Sequence, residues 1–73
     1  MKVKIRLDTM KDIQNFVKIT ISSGAERIVV TDGNGMVVNA KSVLGMMYAM
    51  EFDELYCESD KDIYTAIKDF VIE

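Results

Sequence analysis

Asn34-Gly35-Met36-Val37-Val38-Asn39-Ala40-Lys41-Ser42-Val43-Leu44-Gly45-Met46-Met47 changes its physical character twice within one short stretch. Asn34 and Gly35 close the turn Asp32-Gly33-Asn34-Gly35, and Met36-Val37-Val38-Asn39 has the composition of a strand. The run Glu26-Arg27-Ile28-Val29-Val30-Thr31 before the turn reads as a strand too, so the two form a hairpin. Ser42 then stands where a helix would begin, and Val43, Leu44, Met46, Met47 and Met50 make that helix short, crowded and mostly apolar. Met46 and Met50 are expected in its core-facing set.

Working outward, Lys2-Val3-Lys4-Ile5-Arg6-Leu7 alternates strictly, with Val3, Ile5 and Leu7 on one face and three cations on the other. The period changes at Met10, after which Ile13, Phe16, Val17 and Ile21 are spaced by three or four. Thr9 with Asp12 forms a capping-box variant, and Gly24 supplies the stop, which predicts a helix over 10–22. Residues 54–58 alternate again, Leu55 and Cys57 inward and Tyr56 outward. A last helix is expected from Ser59 and Asp62 as a second capping box, with Ile63, Ala66, Ile67, Phe70 and Val71 as its apolar stripe.

The order β-α-β-β-α-β-α, without proline, repeat or linker, defines one domain over 1–73. Its class is α+β, two layers with all helices on one face of a small antiparallel sheet. The other sheet face is open to water, as Lys2, Lys4 and Arg6 require.

Composition narrows the function. Apolar residues are 49% and charged residues 29% of the chain, the balance of a globular protein. The apolar runs are too short to cross a bilayer and the first residues alternate rather than form a signal block, so a cytoplasmic protein is expected. The single cysteine, Cys57, fits a reducing compartment. Residues 41–73 carry eight acidic and three basic side chains, which opposes direct nucleic-acid binding and favours a partner with a basic surface over a phosphate backbone, a solvated acidic face with no partner being the commoner source of such a bias.

The chain contains no histidine, which removes an imidazole base and a Ser-His-Asp triad, and one cysteine excludes thiolate metal clusters. Asp32-Gly33-Asn34-Gly35 opens no helix and is not a nucleotide loop. No catalytic residue, cofactor or metal site is expected, and the protein is not expected to be an enzyme.

The segment Asn34-Gly35 through Asn39-Ala40-Lys41-Ser42, with Gly45 and Met47 following, resembles the serine-bearing segment of the HPr phosphocarrier family, and the element order is similar over essentially the whole chain. In that family an Asn-Gly turn precedes a short strand ending in Asn-x-Lys-Ser. The resemblance implies an HPr-like open-faced sandwich with strand order 1-4-2-3 and three helices on one side. The family's catalytic signature, Gly-x-His-Ala-Arg-Pro, is absent. Here the chain reads Thr9-Met10-Lys11-Asp12-Ile13-Gln14, and ungapped counting from Ser42 puts Lys11 at the histidine position. A solvated lysine, with a reference pKa of about 10.4, is protonated at neutral pH and is no substitute for imidazole as a phosphoryl carrier. The connection Glu51-Phe52-Asp53 is also shorter than the family's.

Ser42 has two readings. As an N-cap it accepts a backbone N–H and contributes about 1 kcal/mol. By resemblance to HPr proteins and their histidine-lacking regulatory relatives, it is a target of an ATP-dependent HPr kinase, and its phosphate, carrying about two negative charges, would be tolerated at a helix start. The resemblance further implies that Lys41, Val43, Leu44 and Met47 form a docking patch for partners, among them a transcriptional regulator of carbon metabolism in the phosphotransferase system. Methionine suits such an adaptable surface. The expected function is therefore a non-catalytic regulatory or adaptor protein, monomeric or weakly dimeric. The alternative is a structural or ligand-sensing module in which Ser42 only caps a helix.

Overall fold

The computed structural model describes residues 1–72. Its elements are β1 (Lys2–Ile5), α1 (Met10–Ser22), β2 (Ile28–Thr31), β3 (Val37–Asn39), α2 (Val43–Ala49), β4 (Leu55–Ser59) and α3 (Tyr64–Ile67), the last followed by a 3-10 turn over Lys68–Phe70. The four strands are all antiparallel in the order β1-β4-β2-β3, and the helices cover one face. The fold is thus the α+β open sheet expected, with strand order 1-4-2-3.

Register sorts the side chains between the two faces. Val3, Cys57, Val30 and Val38 stand opposite one another across the sheet on the inner face. Beneath the helices they join Ile5, Ile13, Phe16, Met46 and Ile67, all essentially inaccessible, in one core. On the outer face Lys2 stands opposite Glu58, and Lys4 opposite Tyr56. There Lys4 Nζ lies 3.2 Å from Glu54, whose other carboxylate oxygen accepts the Tyr56 hydroxyl at 2.7 Å. Tyr56 also blankets the hairpin turn: a Cβ on Gly33, which has φ +81°, would come within 3.3 Å of its ring.

α1 begins and ends on the expected signals. Thr9 Oγ1 accepts the Asp12 N–H at 3.1 Å, and Asp12 Oδ2 accepts the N–H groups of Thr9 and Asp8. Gly24, at φ +83°, takes the chain out of the helix. β2 starts two residues later than expected, since the Arg27 N–H donates to the Asp60 side-chain Oδ1 instead of completing the ladder pair with its carbonyl. β3 starts one residue later, because the Met36 N–H donates to the Asp32 side-chain Oδ1 in the turn instead of completing the ladder pair.

The C-terminal segment corrects the sequence reading. Ser59 is the last residue of β4 rather than a cap, and its hydroxyl donates to the Lys61 carbonyl. Asp62 Oδ1 accepts the Tyr64 N–H at 2.9 Å, and Ile63 occupies the cap position with no side-chain bond. Ala66 is exposed. Helix lasts one turn because the chain must then reach β1: Phe70 accepts the Arg6 N–H at 2.8 Å, Ile72 donates to the Lys4 carbonyl at 3.1 Å, and Val71 bridges to Ile5. These residues close the free edge of β1, which would otherwise offer unpaired backbone groups.

Candidate docking site around the second helix

Ser42 caps α2. Its Oγ accepts the Gly45 N–H at 3.1 Å, and its backbone is extended, with φ −114° and ψ 119°. A Cβ at Gly45 would meet the Asn39 carbonyl oxygen at 3.3 Å, so the tight passage from β3 into α2 favours a residue without a side chain there. Asn39 steadies the same turn, its Oδ1 accepting the Lys41 N–H at 2.9 Å and its carbonyl the Ser42 N–H at 3.1 Å.

Lys41 is turned inward along the loop. Its Nζ donates to the Ala25 carbonyl at 2.6 Å and the Glu26 carbonyl at 3.3 Å, which ties the start of α2 to the segment after α1. Lys41 therefore acts as a clamp in this structure rather than offering a free cation.

α2 anchors itself through Met46 and Ala49, both essentially inaccessible. The rest of its apolar surface faces solvent. Leu44 is 67% and Tyr48 66% exposed, and Val43 and Met47 are also exposed. Met50, expected inside, is 45% exposed: it is the C-cap residue, where the chain turns away before Phe52 comes back against the core. Tyr48 was not singled out in the sequence. Its spacing of four from Leu44 and its phase opposite Met46 were the available signal.

α1 extends this surface. At 100° per residue, Met10, Gln14, Val17 and Ile21 share one flank within an arc of about 60°. Val17 is buried while Met10 and Ile21 are exposed. Ile19, on another flank, lines a groove with Ala66 of α3, and Phe16 meets Phe70 edge-on at 5.5 Å, so the Met10 flank lies toward α2.

Lys11, which the resemblance to HPr puts at the histidine position, is exposed on the first turn of α1, and none of the three ion pairs among the described residues includes it. It does not adjoin Ser42. The start of α2 is fastened to the last turn of α1, where the Thr20 hydroxyl donates to the Ala40 carbonyl, and Lys11 lies nine residues back, about 13 Å along the axis. Asp12 is spent on capping and Ile13 on the core.

Among the described residues no group of three or more His, Cys, Asp or Glu side chains could hold a metal ion, and no helix is long and apolar enough to cross a membrane. Cys57 is buried against the inner sheet face, and burial pushes its thiol up to about 11, away from reactivity. Compared with protein families, curated proteins and solved structures, the chain finds no match.

Proposed function

We propose that this chain is a non-catalytic HPr-like adaptor that binds protein partners through the exposed face of α2. One observation carries the reading: five of the large apolar side chains in residues 43–50 are solvent-exposed, and no charged residue interrupts them. A short surface helix that only closed the core would ordinarily present polar residues outward. An uninterrupted apolar face is the usual mark of a docking surface.

Ser42 is the regulatory element in this reading. Its cap geometry leaves it half-buried at the edge of the apolar face, so a phosphate there would add charge beside the docking side chains without entering the core. HPr kinase is the proposed modifying enzyme, and a carbon-metabolism transcriptional regulator the proposed partner, both by resemblance. With Lys11 exposed at the histidine position, the chain carries no phosphoryl group in a sugar-transport relay. A second reading is favoured by the Ser42–Gly45 bond itself: the serine is only a cap, and the domain is a structural or ligand-sensing module.

The two readings separate by substitution. Binding to such a regulator is measured by titration calorimetry for the parent chain, Ser42→Asp and Leu44→Asp. The adaptor reading expects Ser42→Asp to change affinity and Leu44→Asp to abolish binding. Unchanged binding in both variants removes it in favour of the module.

A further inference from the structure

The exposed face of α2 is not surrounded evenly by charge. Between Ser42 and Asp60 there is no cation and there are five carboxylates, Glu51, Asp53, Glu54, Glu58 and Asp60. Glu54 and Glu58 pair with Lys4 and Lys2 on the outer sheet face, and Asp60 accepts the Arg27 N–H. Glu51 and Asp53 are exposed at the C-terminal end of α2 and belong to no ion pair among the described residues. Together with Asp32, Asn34, Phe52 and Glu54 they line an open cleft of about 420 Å³ at the end of the apolar face. The carbonyl end of α2 points the same way and adds partial negative charge.

Two cations adjoin this end and each is already paired: Lys4 and Arg6 line the neighbouring cleft with Phe52, Asp53 and Glu54, Lys4 bound to Glu54 and Arg6 to Asp8. Lys41 is bound to main-chain carbonyls at the opposite end of α2, and Lys11 and Lys18 sit on the outer arc of α1. An apolar strip with an unbalanced acidic end selects its partner by charge. Apolar anchors supply the burial, while rim charges set register and discriminate among partners.

We infer that the occupant of the α2 face is an amphipathic helix of a partner protein, whose apolar side chains cover Leu44, Met47 and Tyr48 and whose lysines or arginines lie over Glu51 and Asp53. The inference rests on the docking reading above and adds the chemistry of the partner. An acidic helix or a nucleic-acid backbone would meet like charge at the same place. Phe52, half-buried in the cleft, offers an aromatic surface to an arriving guanidinium or ammonium group.

The test uses the full chain, a synthetic amphipathic leucine–lysine helix and its leucine–glutamate counterpart, with binding followed by amide chemical shifts. The basic helix is expected to shift residues 43–53, and Glu51→Lys with Asp53→Lys to weaken it on the order of tenfold. Asp62→Lys with Asp69→Lys, which changes net charge equally but just before α3 and in the 3-10 turn after it, is expected to leave affinity nearly unchanged. Equal binding of the two peptides at α2, or equal weakening by both double variants, overturns the partner chemistry while leaving a docking face. Shifts confined to another surface, or self-association through α2 that excludes both peptides, overturn it as well. The regulator titration with Leu44→Asp judges the docking reading independently.

Discussion

The hydroxyl of Thr20, fully buried in the last turn of α1, donates to the Ala40 carbonyl at 3.1 Å while also reaching its own helix at the Val17 carbonyl, 2.8 Å away. This shared bond fastens the start of α2 to α1 at the residue pair just before the Lys41–Ser42 turn. It is the polar contact that fixes where the α2 face stands relative to the core, and Lys41 reinforces it from the other side through the Ala25 carbonyl.

Thr20→Val keeps the shape and removes the donor, leaving the Ala40 carbonyl without that partner in a buried position. A loss of about 1–3 kcal/mol is expected in urea unfolding. Amide exchange is expected to rise selectively over Ala40–Gly45. An equally stable variant with unchanged exchange would show that the bond does not hold α2.

Exposed and buried residues of α2 are expected to separate cleanly. Met46→Ala empties core volume and should cost about 2–5 kcal/mol. Leu44→Ser and Tyr48→Ser remove exposed side chains and should alter stability by about 0.5 kcal/mol or less. Thermal and urea melts of the three variants check this. A large loss at Leu44 or Tyr48 would assign these residues to folding rather than docking.

Capping by Ser42 has its own signature. Ser42→Ala loses the acceptor for the Gly45 N–H and should cost about 1 kcal/mol, whereas Ser42→Asp retains an acceptor and stays near the parent. Urea midpoints of both variants decide it. Equal losses would mean that the Gly45 bond contributes nothing.

Much of the fold was legible because its signals are local. The 3.6-residue period from Met10 to Ile21, the Thr9/Asp12 box and the Asp32–Gly35 turn each declare an element within a few residues. The C-terminal segment was misread because its decisive contacts are distant: Phe70, Val71 and Ile72 are drawn into extended pairing with Lys4, Ile5 and Arg6, and no local pattern reports that. The same reason hid the role of Lys41, whose amine finds carbonyls some fifteen residues back. At the candidate site the apolar composition of α2 was plain, but which residues face outward depends on where α2 meets α1, so Tyr48 and Met50 emerged only with the fold.

The buried thiol predicts an alkaline limb. Burial raises Cys57 from its ordinary value near 9.0 to about 11, so the folded state holds the proton after the unfolded chain has released it. The stability associated with it is fully present below about pH 9 and is lost as pH rises toward about 11, with a magnitude on the order of 2–3 kcal/mol. Tyr56 is raised as well, chiefly by its hydrogen bond to Glu54, and adds a smaller contribution of the same sign. Urea melts between pH 8 and about 11 should therefore show a falling limb that is shallower in Cys57→Ala. An equally steep limb in that variant would move the effect away from the thiol.

Whether the chain is an HPr-like adaptor outside the phosphoryl relay is decided by two incubations of the protein. One uses HPr kinase with ATP, the other enzyme I with phosphoenolpyruvate, and both are read by intact mass and mapping of any phosphate. The expected result is a single phosphate on Ser42 with the kinase and none from enzyme I. Phosphate transferred from enzyme I to any residue would contradict it, and no phosphate under either condition would contradict the regulatory role of Ser42.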